Sequence, residues 1–204
     1  MGRDLERMSN QSTIKNKVSV IVPCFNSGFY IVRTIYSLIA QTYKNLEIII
    51  VNDGTTDEVT INILNHFKFK NLKIINQKNK GLASARNKGI LHSKSEFVIF
   101  LDSDDWLTTD AIDKYVNFLT KNKDTTYVYS NIVNKNQNNS ILRKNFNYFE
   151  QLFTNQIPYS ILIRRAAFKK VGMYDENMPI MGFEDWDVSY RGDGICFPFF
   201  NVIV

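Results

Sequence analysis

Apolar and polar positions along this chain switch between two periods. Val18 to Val22 is a short, β-branched apolar run that stops at Pro23, and such runs read as buried strands. After the loop Cys24-Phe25-Asn26-Ser27-Gly28, residues Ile31, Ile35, Leu38 and Ile39 recur at helical spacing. Leu46 to Val51 predicts a second strand, closed by Asn52-Asp53-Gly54. Asp57 stands where a helix cap belongs, ahead of an apolar face formed by Val59, Ile63 and Phe67. Leu72 to Ile75 predicts a third strand, and Gly81 opens a short helix reaching about Leu91. Phe97 to Leu101 predicts a fourth strand that runs straight into Asp102-Ser103-Asp104-Asp105, and a helix is expected from about Thr109 to Thr120.

Strand and helix thus alternate over the first 120 residues, and the strands are continuously apolar. Strands covered by helices on both faces look like this, so the pattern predicts an α/β fold on an open, largely parallel sheet. Regularity then fades. Tyr127 to Val133 reads as a strand, Asn134 to Ser140 as a polar turn, and Ile141 to Pro158 fits neither period. Arg164 to Val171 reads as a helix ending at Gly172, and the tail Ile195 to Val204 as an edge strand or surface segment broken by Pro198. One domain over 18–204 is expected, behind a flexible, polar and charged leader at 1–17.

Composition narrows the class. The 204 residues are 44% hydrophobic, which is globular and long enough to bury a core without staples. No apolar run has the length of a membrane span, and the first seventeen residues lack a secretory h-region. Cys24 and Cys196 have neither metal-like nor redox-like spacing, which points to a reducing, cytoplasmic setting. The net charge of +5 suits nucleic acid, an anionic membrane face or a phosphorylated substrate, and equally a simple use of lysine for solubility. The lysines are scattered, without the basic stripe and interleaved aromatics of a nucleic-acid binder, so no nucleic-acid partner is expected.

Open α/β sheets bind ligands beyond the carboxyl ends of their strands. There this chain carries Pro23 and Asn26, then Asp53, then Asp102, Asp104 and Asp105. Alone, the acidic string reads as a polar turn with an Asp cap. Directly after a buried strand it reads as a site for a hard divalent cation, Mn²⁺ or Mg²⁺, because like charges gathered in a dry cleft require one. In Lys78-Asn79-Lys80-Gly81-Leu82-Ala83-Ser84-Ala85-Arg86-Asn87, a helix N-terminus and Arg86 offer a seat for phosphate, although a solvated basic face explains the same residues. Gly182-Phe183-Glu184-Asp185-Trp186-Asp187 sets carboxylates among aromatics, as a general base or an acidic helix start would. His66 and His92 are isolated and read as surface or packing residues.

Several of these strings resemble family 2 glycosyltransferases. Val18-Ser19-Val20-Ile21-Val22-Pro23-Cys24-Phe25-Asn26 is similar to that family's opening, and Asn52-Asp53-Gly54-Thr55-Thr56-Asp57 to its NDGSTD segment, with Thr55 in place of Ser. Asn79 to Asn87, Phe100 to Asp105, Gly172-Met173-Tyr174-Asp175-Glu176 (its GxFDE segment) and the Glu184-Asp185 pair follow in the family's order. The resemblance covers roughly 18–190. It implies a GT-A fold, Rossmann-like with an open mixed sheet flanked by helices, divided into a nucleotide-binding half at 18–106 and an acceptor-side half at 107–204. It implies inverting transfer from a nucleoside diphosphate sugar, a UDP-sugar above all, to a saccharide or lipid-linked acceptor in cell-surface glycan synthesis. By this resemblance Asp53 meets the base, Pro23 and Asn26 line the nucleotide pocket, and Arg86, Asp102 and Ser103 contact the nucleotide. Asp104 ligates the metal and Asp185 is the base. The protein is then expected in the cytoplasm or peripherally at the inner membrane face.

The chain departs from the pattern near its end, where Arg191-Gly192-Asp193-Gly194 interrupts a usual helix and relatives continue further. This predicts an acceptor side that is reduced, supplied by a missing segment, or completed by a partner chain. The absence of a QxxRW string speaks against a processive synthase. Two other readings stand beside this one. A nucleotidyltransferase would carry an early Gly-rich basic signature that 23–28 lacks, and a non-catalytic nucleotide-sugar binder would not need Asp185.

Overall fold

The computed structural model describes residues 6, 8, 12–129, 132–134, 140–142, 160–178, 185, 187 and 188. Four strands and three helices alternate first: β1 (Ile14–Cys24), α1 (Tyr30–Ile39), β2 (Leu46–Asp53), α2 (Glu58–His66), β3 (Leu72–Gln77), α3 (Leu82–His92) and β4 (Ser95–Phe100). Helix α4 (Ala111–Lys121) follows, then the short strands β5 (Tyr127–Val128), β6 (Ile132–Asn134), β7 (Ser140–Leu142) and β8 (Leu162–Arg164), and helix α5 (Ala167–Val171). The main sheet has the order β3-β2-β1-β4-β8-β5. Strands β1 to β4 are parallel, whereas β8 runs antiparallel between β4 and β5, so the sheet is mixed. Strands β6 and β7 pair in a separate two-stranded sheet, Val133 opposite Ile141.

The two-residue period of each strand divides the core. Val18, Val20 and Val22 with Ile48, Ile50, Phe97 and Ile99 face α1, α2 and α4, while Ile21, Ile49, Val51, Val98 and Phe100 face α3 and α5. In α1, Ile31, Ile35 and Leu38 are buried, as their spacing predicts. Helix α3 lies unusually close to the sheet: a Cβ on Gly89 would stand 2.4 Å from Ile21 Cγ2.

Four expectations need correction. Strand β1 begins at Ile14, whose N–H meets Lys94 O at 2.8 Å, four residues before the apolar run; Met8 is fully buried among Ile21, Ile49 and their neighbours, so the leader is not free throughout 1–17. In α2 the buried stripe is Thr60 and Leu64, and Val59 is 41% exposed. Thr60 turns inward because its Oγ1 accepts the Gly28 N–H at 2.6 Å, which sets the helix's rotation. The strand expected over Tyr127 to Val133 divides into β5 and β6, which belong to different sheets. Arg164 closes a strand instead of opening a helix. It pairs with Phe97 across the edge of β4, and its guanidinium donates to Leu119 O at 2.6 Å and Thr125 O at 2.9 Å. The tail, Cys196, most of 141–158 and residues 182–184 and 186 lie outside the described residues.

Candidate active site

The chain passes from β1 outward to β3 and then returns to β4 on the other side of β1. This reversal opens a crevice at the carboxyl ends of β1 and β4, where ligands of open α/β sheets sit. The loops beyond those ends carry the predicted residues. Pro23 is buried at the end of β1, opposite Val51 of β2.

Asn26 follows in a left-handed conformation at φ 49°, and its Oδ1 accepts the N–H groups of Thr56 at 2.8 Å and Asp57 at 3.2 Å. Asp57 in turn caps α2, accepting the Thr60 N–H at 2.8 Å. The β1 and β2 loops are therefore stitched together. Asp53 is 4% exposed and holds the loop ahead of α3: Oδ1 accepts from Gln77 Nε2 at 2.8 Å and Lys80 N at 2.9 Å, and Oδ2 from Gly81 N at 2.8 Å. Gly54, at φ 72°, lets that loop approach; a Cβ there would stand 2.6 Å from Asn79 N.

The acidic string after β4 is a turn, closed by the Asp105 N–H to Asp102 O at 3.1 Å. Ser103 spans the crevice. Its Oγ lies 2.6 Å from Ser27 Oγ of the β1 loop, and its carbonyl accepts from Thr34 Oγ1 of α1 at 2.9 Å. With the middle residue fixed, the two flanking carboxylates part: Asp104 is exposed, and Asp102 turns inward. Beyond it, the Arg33 guanidinium lies 3.2 Å over the Trp106 ring.

Arg86 closes the site from behind. Its side chain is 1% exposed, with Nη1 on Asp185 Oδ2 at 2.8 Å and Nη2 on Asp102 Oδ1 at 3.3 Å. Asp102, from the turn after the fourth strand, and Asp185, eighty-odd residues later, are thereby joined through one guanidinium. Burial pushes the Asp102 carboxyl up to about 6; Arg86 opposes this, while Asp185, Asp105 and Asp104 reinforce it. The rim thus holds more negative charge than Arg86 balances, and the exposed Asp104 is an oxygen donor of the kind hard divalent cations select. The residues present fit such an ion, although among the described residues no three acids, histidines or cysteines form a finished cage.

Two residues at the site had no role assigned from sequence. Asn87, next to Arg86 and 4% exposed, grips the 172–176 segment: its Nδ2 donates to Tyr174 O at 2.9 Å and Glu176 Oε1 at 2.8 Å, and its Oδ1 accepts the Tyr174 N–H at 2.9 Å. Tyr174 is buried edge-on against Phe100, 5.3 Å between centroids. Burial first, and then the negative Asp185, push that phenol well above its ordinary range. The signal for both was the contiguity of Arg86 and Asn87 on one helix, which sends consecutive side chains to different partners. His66 and His92 are local, each with Nδ1 against the carbonyl four residues earlier, and Cys24 is buried packing.

A family model described as Glycosyl transferase family 2 matches residues 19–185. A glycosyltransferase of Rickettsia typhi is 31% identical over 194 residues, covering 89% of this chain and 60% of that protein. The structure of S. aureus TarS 1–349 in complex with UDP-GlcNAc superposes with a TM-score of 0.76 at 23% identity, over 90% of this chain and 55% of that one. Mannosyltransferase PcManGT from Pyrobaculum calidifontis, in complex with GDP-Man and Mn²⁺, gives 0.72 at 18% identity, over 98% of this chain and 60% of that one. The two structures share the GT-A fold with this chain. The chain spans between 55% and 60% of the length of these relatives.

Proposed function

The chain belongs to glycosyl transferase family 2, and from that premise we propose that it moves a sugar, with inversion, from a UDP-sugar to an acceptor hydroxyl. The observation that carries the proposal is the crevice rim at the β1/β4 reversal, where Asp102 and Asp185 pair with one buried arginine and Asp104 and Asp105 add their charge beside Asp102. A nucleoside diphosphate with its cation fits this charge pattern, and related folds hold UDP-GlcNAc in one case and GDP-Man with Mn²⁺ in another. Residues 18–106 form the donor half and 107–204 the acceptor side. Pro23 and Asn26 line the nucleotide pocket, Asp53 meets the base, and Asp102 with Ser103 meets the ribose. Asp104 would hold Mn²⁺ or Mg²⁺, which supplies positive charge to the departing diphosphate.

Asp185 takes the proton of the acceptor hydroxyl as its oxygen bonds to the anomeric carbon and the bond to the diphosphate breaks. An α-linked donor then gives a β-linked product. Arg86 pairs with Asp185 through Nη1 at 2.8 Å and adds its charge to the leaving-group side. The acceptor is a saccharide or a lipid-linked glycan met at a membrane face. No helix among the described residues is long and apolar enough to cross a membrane. Peripheral contact with a membrane is tested by co-sedimentation with anionic liposomes at low salt, and its absence removes the idea.

Calorimetric titration of UDP with Mn²⁺, and again with chelator, tests the donor site. Metal-dependent binding that Asp104→Ala abolishes is the expected result. Asp185→Asn is expected to keep that binding and stop transfer, and normal turnover by this variant would remove Asp185 as base. Absence of binding for UDP, GDP, CDP and dTDP under both conditions would remove the reading.

A further inference from the structure

A second opening lies at the amino ends of β1, β2 and β3, away from the crevice at their carboxyl ends. It is a groove of about 540 Å³ lined by four lysines, Lys17, Lys44, Lys70 and Lys73, and by one carboxylate, Glu47. Along the chain these lysines are scattered. Parallel strands start at one end of a sheet, and the fold therefore brings them together. Strand β2, which joins the two openings, has eight residues and spans about 25 Å, so an occupant of the groove is out of reach of the reacting atoms.

The charges in the groove do not cancel. Glu47 is held by the fully buried Ser19 and Ser95, whose hydroxyls donate to Oε1 at 2.6 Å and 3.0 Å, and its Oε2 pairs with Lys17 at 2.9 Å. Lys17 and Glu47 thus answer each other. Among the described residues no carboxylate pairs with Lys44, Lys70 or Lys73. The Lys44 ammonium donates to Gln41 O at 2.6 Å, which places it and leaves its charge intact. Lys70 and Lys73 flank the entry into β3, and Asn71 between them anchors that corner to β2: its carbonyl accepts the Ile48 N–H at 2.8 Å. Like charges turned into one opening repel one another, and a cleft of one sign concentrates counter-ions. An ammonium is a compact point charge that suits phosphate, and Leu46 and Leu72 add apolar surface beside it.

We propose that this groove is an anion site separate from the donor crevice, and that it takes a phosphate-bearing molecule on Lys44, Lys70 and Lys73. The phosphate belongs either to a soluble compound or to a lipid headgroup. The site stands on its own residues and does not depend on the glycosyltransferase reading.

The full chain, kept in chelator, is titrated with inorganic pyrophosphate by calorimetry. Affinity about tenfold weaker in the double variant Lys70→Gln/Lys73→Gln is expected, with the parent's urea midpoint retained. Lys169→Gln/Lys170→Gln removes the same charge on α5, outside the groove, and should bind like the parent. Equal loss in both pairs would be a response to net charge only and would overturn the proposal, as would no loss in either. Amide shifts locate the anion directly. Asn71, Leu72 and Lys73 should move on titration, and movement confined to Ser103 and Asp104 would put the anion in the crevice and overturn the site. Co-sedimentation with phosphatidylglycerol vesicles that the groove pair lowers and the α5 pair does not assigns the phosphate to a lipid headgroup. Pyrophosphate binding with no vesicle binding assigns it to a soluble compound. Neither kind of binding by the parent would overturn the proposal.

Discussion

Replacing Asn87 with alanine removes a side chain that meets both backbone groups of Tyr174, its N–H at 2.9 Å and its carbonyl at 2.9 Å. Both bonds are buried, so water cannot replace the lost partner without opening the segment. Leaving a buried backbone donor or acceptor unmade costs about 1–3 kcal/mol each. The third bond goes to Glu176, which is exposed, and contributes little. The sum is roughly 2–6 kcal/mol, a large part of the 5–15 kcal/mol typical of a domain. Urea unfolding of the parent and Asn87→Ala, compared at constant slope, measures this directly. Asn87→Asp separates the parts. It keeps the acceptor for the Tyr174 N–H but turns a carboxylate oxygen toward the Tyr174 carbonyl and Glu176, so it should be the worse variant at neutral pH. A loss below about 1 kcal/mol in Asn87→Ala would refute the clamp, as would an Asn87→Asp variant as stable as the parent.

Other outcomes follow from the same geometry. Gly89→Ala should destabilise by about 1–3 kcal/mol despite alanine's better helix propensity, because the new Cβ meets the stiff, fully buried Ile21 side chain at 2.4 Å; a stabilised variant in thermal denaturation would contradict this. Asp53→Asn puts an amide N–H₂ or a lone oxygen where two carboxylate oxygens now accept from Gln77, Lys80 and Gly81, and should weaken nucleotide affinity and lower the urea midpoint together. Burial alone would raise the Glu47 carboxyl, but hydrogen bonds from Ser19, Lys17 and Ser95 and the charge of Lys17 hold it below its ordinary 4.5. Its stabilisation is therefore present above that value and lost as pH falls through the lower folded value. The stability gap between the parent and Glu47→Gln should narrow on going from about pH 6 to pH 3, and a gap that widens in acid would reverse the assignment.

The first half of the molecule was readable from sequence because its signals are local. The β-branched runs of β1, β2 and β4 and the i, i+4, i+7 series of α1 each bury themselves against whatever lies beside them, and the Asp57 cap needs only Thr60. The second half depends on distant partners. Residues 162–164 form a strand because the edge of β4 needs a neighbour, and Arg164 stays extended because carbonyls of Leu119 and Thr125 are within its reach. Nothing within Arg164 to Val171 announces those contacts. Val59 failed for a similar reason, since the rotation of α2 is set by Gly28 across a loop. At the candidate site the residue types were readable and their connections were not. Arg86 was expected at a ligand, and its guanidinium meets Asp185 and Asp102, the first of them 99 residues away in sequence.

The stitching of the crevice rim bears on how a ligand arrives. Asn26 joins the β1 and β2 loops, Thr60 ties the β1 loop to α2, and the Ser27–Ser103 pair bridges the β1 and β4 loops. Loops joined in this way have already surrendered most of the conformational entropy that an encounter would otherwise have to remove. Association with a nucleotide should then follow a single kinetic phase whose observed rate rises linearly with concentration, without the plateau of a slow closing step. Cutting one stitch, as Ser103→Ala does, would reintroduce that freedom, and the loss would surface as a more unfavourable binding entropy ahead of any change in enthalpy.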